Sequence, residues 1–169
     1  ILIEEGKILK VGKKIKMPVD WQQYSIEQVA EGDQLISYDA TDLEPQIAAP
    51  HTPENADNAS VYKNTSFNLA YIGACTGAKY ADLVAAASVL KGRKIASGIT
   101  LKVAPASLKD QQRAEAEGVM QILEEAGADF LANSCGICAG YGADRLAENE
   151  VCLSSTARNF KGRMGASSS

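Results

Sequence analysis

The segment FNLAYIGACTGAKYADLVAAASVL, residues 67–90, decides the fold class of this chain. Its opening part, FNLAYIG, is an apolar run whose length is typical of a buried strand. From Lys79 to Leu90 the apolar residues recur at helical spacing, which predicts a helix soon after that strand. A strand followed by a helix is the first half of a β-α-β unit, so this segment favours a parallel sheet.

The same alternation of strand and helix continues after residue 90. A serine followed three residues later by an aspartate is a weaker form of the capping box, and a glycine commonly ends a helix. The predicted elements are strands at 99–104, 128–132 and 151–155, and a helix that begins at Ser107, runs to about Glu125 and is stopped by Gly127. This order of elements predicts an α/β domain with a parallel sheet.

The part of the chain before this alternation is less regular. We expect residues 1–34 to form an N-terminal arm or an incomplete preceding segment, in which residues 1–16 are a short hairpin or a loose arm. The α/β domain is then expected over residues 35–169, with a first strand at 35–39. Three prolines among polar residues predict that 43–64 is a long connecting loop.

Composition and charge exclude several classes of protein. The chain has 169 residues, of which 46% are hydrophobic and 22% are charged, so it has enough apolar side chains for a folded core. Its formal net charge of −4 argues against a general nucleic-acid binder. No apolar run is long enough to predict a membrane span, and the first ten residues do not predict a signal peptide.

Four cysteines and a single histidine are the most informative chemical feature. Cys135 and Cys138 form a C-x-x-C pair, whereas Cys75 and Cys152 stand far from that pair in the sequence. This spacing does not resemble a disulfide framework, and without a secretion signal it favours metal binding or catalysis. In a parallel sheet the loops after successive strands emerge at one edge, so Cys75, Cys135 and Cys138 are expected to converge there.

Three converging thiols leave several interpretations open. An iron–sulfur cluster held by three thiolates would leave one iron open as a Lewis acid. A closed zinc site would need a fourth ligand, which could only be Cys152 or His51. A redox C-x-x-C pair or buried thiols would need no third cysteine. His51, in a proline-rich loop, is more simply interpreted as a loop residue than as a catalytic base.

Two arginines follow the last predicted strand. Arg158 and Arg163 flank a glycine-containing turn and could together bind one small polyanion, because arginine suits bidentate recognition of carboxylates. A solvated basic loop is the simpler alternative when this segment is taken alone. Next to a cluster with an open iron, a role in holding a carboxylate is favoured instead.

Several segments resemble the aconitase and isopropylmalate dehydratase family, in the same order along the chain. They extend over about residues 35–165 and fit the large subunit of the dehydratase branch better than aconitase itself. The segments that carry the resemblance are LEP at 43–45, HTPEN at 51–55, IGACT at 72–76, KGRK at 91–94, EAGA at 125–128, CGIC at 135–138 and STARNFKGRMG at 155–165.

The resemblance implies the cluster-bearing third domain of such an enzyme, a three-layer α/β/α domain with a mostly parallel sheet. It implies a [4Fe–4S] cluster held by Cys75, Cys135 and Cys138, with Cys152 at a non-ligand position. Arg158 and Arg163 match the family's arginines for substrate carboxylates. The implied activity is that of a hydro-lyase acting on hydroxy di- or tricarboxylic acids such as isopropylmalate, homocitrate or citrate.

The resemblance also implies partners and a compartment. The catalytic residues of the family lie in other domains, so we expect the remaining domains or a small subunit to complete the enzyme and this chain alone to be inactive. The start at Ile1 fits a chain cut from something longer. A cytoplasmic location is expected, because a cluster needs reduced thiols.

Two positions depart from the family pattern. Gly77 and Ala157 stand where the family often has asparagine, and an alanine cannot donate the hydrogen bond of an asparagine side chain. The alternative is therefore a non-catalytic iron–sulfur or zinc-binding module.

Overall fold

In a computed structural model of the protein, residues 44–168 are described, together with the backbone of two short strands near the amino terminus. The chain divides into two compact units, Ile1–Pro45 and Gln46–Ser169. In the first unit, strands β1 (Leu2–Glu4) and β2 (Lys7–Lys10) pair antiparallel. A hairpin is one of the two forms predicted for residues 1–16. The predicted strand at 35–39 and the predicted boundary after residue 34 lie outside the described residues.

The second unit begins with a small antiparallel ribbon where the sequence predicted only a loop. Strands β3 (Gln46–Ala48) and β4 (Ala56–Asn58) pair with Gln46 opposite Asn58. The prediction of a structureless connection over 43–64 was therefore wrong. The prolines do not prevent pairing because they lie outside the paired residues, where no ladder hydrogen bond is needed. They stand at Pro45 before β3, and at Pro50 and Pro53 in the connection, and Pro53 opens a short 3₁₀ helix (Pro53–Asn55).

A four-stranded parallel sheet forms the centre of this unit. The predicted α/β class is thereby confirmed, and the strand order is β7-β6-β5-β8. Every neighbouring pair in the sheet is parallel. The elements are β5 (Leu69–Gly73), α1 (Tyr80–Leu90), β6 (Thr100–Ala104), α2 (Leu108–Ala116), α3 (Val119–Ala126), β7 (Ala128–Phe130) and β8 (Cys152–Ser154).

The long helix predicted from Ser107 to about Glu125 is two helices, so that prediction was wrong in one respect. The chain breaks at Gly118, whose φ of 73° lies in the left-handed region that only glycine adopts readily. The predicted start of this helical region at Ser107 and its end at Gly127 are both confirmed. The Ser107 hydroxyl accepts a hydrogen bond from the Asp110 amide at 3.1 Å, and Gly127 ends α3 with a φ of 104°.

The two faces of the sheet are covered by different kinds of structure. Side chains of β5 alternate, with Ala70 and Ile72 facing the helices and Leu69 and Tyr71 facing the opposite side. The three α-helices pack on the first face through residues such as Leu83, Ala114 and Leu123. The second outer layer comes from the segment between β7 and β8 and the loop after β8; it contains a 3₁₀ helix (Gly136–Ala139) and buries Ile137, Cys138, Leu146 and Met164.

The strand order places a topological switch point beside β5. The strands β6 and β7 extend the sheet on one side of β5, whereas β8 pairs with its other side. Open α/β sheets bind ligands at the carboxyl ends of the strands, at the point where the order reverses. The loops after β5 and β8 meet at that point. Within residues 44–168, no helix is both long and apolar enough to cross a membrane.

Candidate functional site

The predicted cysteines and arginines all follow strands of the parallel sheet, at its carboxyl edge. Cys75 is exposed in the loop after β5, and Cys135 is exposed in the segment after β7. Cys138 lies in the 3₁₀ helix after β7 and is buried. Arg158 and Arg163 lie in the loop after β8. All four cysteines are free thiols, Cys152 included.

The arrangement of these thiols differs from that of a single-ion site. Among the described residues 44–168, no three histidine, cysteine or acidic side chains are grouped closely enough to hold one metal ion. A closed zinc site requires four ligands around one point, so this geometry does not favour zinc. His51 is exposed in the connection between β3 and β4. A four-iron cluster distributes its thiolate ligands over different irons, so its ligands need not surround a single point.

A buried phenol lies on the strand that leads into the loop with Cys75. Tyr71 on β5 is 1% exposed, and its ring lies over Gly73, two residues further along the same face. A Cβ atom on Gly73 would lie 2.4 Å from the Tyr71 hydroxyl oxygen, so the phenol reaches toward the carboxyl end of the strand. Burial is the largest cause that raises the pKa of this hydroxyl to about 12, and negative charge on Cys138, Cys135, Cys152 and Cys75 contributes to the same shift.

The Tyr71 hydroxyl has no hydrogen-bond partner among the described residues. Burying a polar group without a partner costs about 1–3 kcal/mol, whereas phenylalanine would fill the same space without that cost. Sequence reasoning missed Tyr71 because it reads as one more apolar residue of a strand. The sequence does show a hydroxyl-bearing side chain two residues before Gly73, the glycine after which the loop with Cys75 begins.

Cys152 differs from the other thiols in its environment. It lies within β8, and burial raises the pKa of its thiol to about 12. A thiol with that pKa stays protonated near neutral pH, whereas a metal ligand must be a thiolate. Its environment is therefore that of a structural thiol packed beside the site.

The loop that carries Cys75 is fastened to the end of β8 by Ser155. The Ser155 hydroxyl accepts a hydrogen bond from the Gly73 amide at 3.1 Å and lies 2.9 Å from the Gly77 carbonyl, to which it can donate. A Cβ atom on Gly77 would lie 2.4 Å from the Ser155 carbonyl oxygen, so the position has no room for a side chain. This crowding gives a structural reason for glycine here, where the resemblance leads one to expect asparagine.

Arg163 is joined directly to one of the predicted ligands. Its Nη2 donates a hydrogen bond to the Sγ of Cys138 at 3.2 Å, and its guanidinium lies 5.3 Å from the centre of the Phe160 ring. Its Nε is buried without a partner among the described residues, so this donor is available to a bound group. Arg158 is exposed on the same loop.

Asn159 connects the loop after β8, which carries Arg158 and Arg163 and is called the arginine loop below, to the β3–β4 ribbon. Its side-chain amide nitrogen lies 3.2 Å, 2.7 Å and 3.2 Å from the carbonyl oxygens of Ala48, Ala49 and Thr52. These contacts hold the backbone between Arg158 and Arg163 against a second element of the same unit. Sequence reasoning missed this role because the contacts join segments more than a hundred residues apart.

Removing this connection should loosen the arginine loop. We expect Asn159→Ala to lower the free energy of unfolding by about 2 kcal/mol, because it removes one shared donor and leaves carbonyls without a partner. Amide hydrogen exchange in residues 156–163 should become faster. The matched control is Asn55→Ala, which removes one bond to the Pro50 carbonyl within the ribbon. Unchanged exchange in 156–163 for Asn159→Ala would show that other contacts fix the loop.

The fold and the site together define an α/β domain whose carboxyl edge carries thiols and arginines at a topological switch point. The chain belongs to the aconitase family (aconitate hydratase), whose family model matches residues 55–169. The resemblance inferred from the motifs is thereby confirmed.

Relatives with curated names agree with this family. The chain is 45% identical to the methanogen homoaconitase large subunit of Methanocaldococcus jannaschii, over 77% of this chain and 31% of the relative. It is 43% identical to a 3-isopropylmalate dehydratase large subunit of Nitratiruptor, over 86% of this chain and 35% of the relative. The chain is 38% identical to 3-isopropylmalate dehydratase large subunit 1 of Archaeoglobus fulgidus, over 98% of this chain and 40% of the relative. The chain thus spans well under half the length of these relatives.

Proposed function

We propose that this chain carries the [4Fe–4S] cluster of a hydro-lyase that acts on hydroxy di- or tricarboxylic acids such as isopropylmalate, homocitrate or citrate. The observation that carries the proposal is the placement of Cys75, Cys135 and Cys138 after parallel strands at the carboxyl edge, together with a Tyr71 hydroxyl that is buried there without a partner among the described residues. The relatives named as homoaconitase and isopropylmalate dehydratase subunits support this class of substrate.

The chemistry of the donor set fits an iron–sulfur cluster. Cys75, Cys135 and Cys138 would hold it, while Cys152 would stay protonated beside it. The Tyr71 hydroxyl and the Arg163 Nε are buried donors without a partner among the described residues, which suits a site that receives sulfur or oxygen acceptors. When bound, a cluster with three protein thiolates supplies an open iron, a Lewis acid for a hydroxyl or carboxylate oxygen.

The side chains of this chain would bind and orient the substrate. Arg158, exposed at the edge, and Arg163, anchored beside Cys138, would hold a carboxylate by charge-assisted hydrogen bonds. The stacking of Arg163 near Phe160 and the fastening of the loop by Asn159 would fix the direction of these donors. The chain's task in this proposal is therefore binding and positioning.

The proton-transfer groups are proposed to lie outside this chain. The relatives are named as large subunits and are longer than the matched region, so the remaining domains or a small subunit are the proposed partners. We accordingly expect the 169-residue chain alone to show no hydro-lyase turnover.

A non-catalytic cluster-binding module is the second candidate. The specific observation in its favour is Ala157, an exposed residue beside Arg158 that offers no side-chain hydrogen bond to a substrate. The two candidates predict the same cluster and differ only in turnover by the completed protein.

Anaerobic reconstitution with ferrous iron and sulfide tests the proposal. We expect a cluster with the absorption of a four-iron centre, which loses one iron on mild oxidation, becomes visible by EPR, and regains the iron on reduction. Binding of zinc without sulfide would contradict the proposal. Joining the chain to the remaining parts of a relative and assaying hydration of unsaturated di- and tricarboxylates would then distinguish the enzyme from the non-catalytic module.

A further inference from the structure

The Tyr71 hydroxyl is the feature of this site that neither the cysteines nor the arginines explain. The side chain is fully enclosed in the apolar layer that also contains Leu69, Ile137 and Cys138. Phenylalanine would complete that layer equally well, since no described group accepts a hydrogen bond from the hydroxyl. A buried hydroxyl with no partner among residues 44–168 points to an acceptor outside this part of the chain, such as a bound group.

The direction of the phenol indicates where that acceptor would be. The ring lies over Gly73, with its Cζ and hydroxyl oxygen 2.3 Å and 2.4 Å from the position of a Cβ atom there. The glycine therefore allows the phenol to extend along β5 to the end of the strand. The loop with Cys75 begins immediately after this point, so the hydroxyl is directed to the carboxyl edge of the sheet.

Two of the proposed ligands lie close to this hydroxyl without bonding to it. Cys75 follows the strand that carries Tyr71, and Cys138 is buried in the same apolar layer as the Tyr71 ring. Neither thiol accepts the hydrogen bond of the hydroxyl. A tyrosine hydroxyl carries its proton near neutral pH, so the group is able to donate a hydrogen bond.

We infer that the Tyr71 hydroxyl donates a hydrogen bond to a sulfur atom of the cluster and thereby tunes its reduction potential. The inference rests on the proposed function, because it requires a cluster at this edge. A hydrogen bond to sulfur stabilises the more negatively charged, reduced form of a cluster. In this role Tyr71 would tune the cluster through its hydroxyl, without taking part in the reaction of the substrate.

The test compares the reconstituted 169-residue chain with its Tyr71→Phe variant, in which only the hydroxyl is lost. In an EPR-monitored redox titration we expect the midpoint potential of the variant to be more negative than that of the wild type. In deuterium oxide, the iron–sulfur stretching frequencies should shift in the wild type and shift less in the variant. Without the cluster, Tyr71→Phe should be at least as resistant to unfolding as the wild type, because it removes an unpartnered hydroxyl.

The matched control is Tyr80→Phe on α1, which removes a hydroxyl that donates to Glu117 on the helical side of the molecule. This variant should leave both the potential and the isotope shift unchanged. If the wild type takes up a cluster and Tyr71→Phe matches it in both measurements, the inference is wrong and the proposed function stands. If the wild type takes up no cluster, the proposed function itself fails, and the inference fails with it.

Discussion

Replacing Cys75 or Cys135 by serine is expected to abolish cluster assembly while leaving the fold intact. Both thiols are exposed, so their substitution removes a proposed ligand without disturbing the packing between strands and helices. Loss of outer-shell partners alone typically weakens metal binding about 10–100-fold, and loss of a ligand should cost at least as much. The measurement is iron and sulfide bound per chain after anaerobic reconstitution, with circular dichroism to verify the secondary structure.

Cys152→Ser is the control for this experiment. Its thiol is held protonated by burial within β8, so we expect the variant to retain a full complement of iron and sulfide. Cys138→Ser should also lose the cluster, but its side chain is buried and bonded to Arg163, so its folding needs separate verification. Equal loss of iron in Cys75→Ser and Cys152→Ser, or normal loading of Cys75→Ser, would contradict the proposed ligand set.

The parallel sheet could be predicted from the sequence because burial imposes a visible pattern on each strand and helix. The apolar run that became β5 and the helical spacing that became α1 are both local signals. The positions of the cysteines relative to the strands followed from one topological rule, that parallel strands end at one edge. These inferences needed no knowledge of contacts between distant residues.

The features that the sequence did not reveal depend on such contacts. The break at Gly118 could not be distinguished from a tolerated helical glycine, because its left-handed φ reflects how α2 and α3 both pack on the sheet. The ribbon of β3 and β4 was hidden by prolines that lie outside its paired residues. The burial of Tyr71 and the hydrogen bond of Ser155 to the Gly77 carbonyl depend on segments that are distant in the sequence, so no local sequence pattern indicates them.

Gly77→Ala is expected to be the most destabilising of the glycine substitutions in the loop after β5, which carries Cys75. The added Cβ would lie 2.4 Å from the Ser155 carbonyl oxygen and 2.6 Å from that of Gly73, distances that real Cβ atoms do not adopt. Both oxygens belong to the backbone, so relief requires a shift of the loop or of the end of β8. Overpacking of this kind typically costs about 1–3 kcal/mol, and we expect about 3 kcal/mol here because backbone must move.

A matched glycine separates this crowding from the intrinsic cost of replacing glycine. Gly98 has open space around it and a φ of 85°, so Gly98→Ala should cost only the strain of a left-handed alanine, roughly 1 kcal/mol. Denaturant titration of the two variants gives the comparison directly. Relief of the crowding in Gly77→Ala displaces the loop that carries Cys75, so this variant should also take up less iron. Gly98→Ala should take up iron like the wild type. Equal stability of the two variants would mean that the loop relaxes freely, and the cluster site would then be less preformed than the contacts of Ser155 indicate.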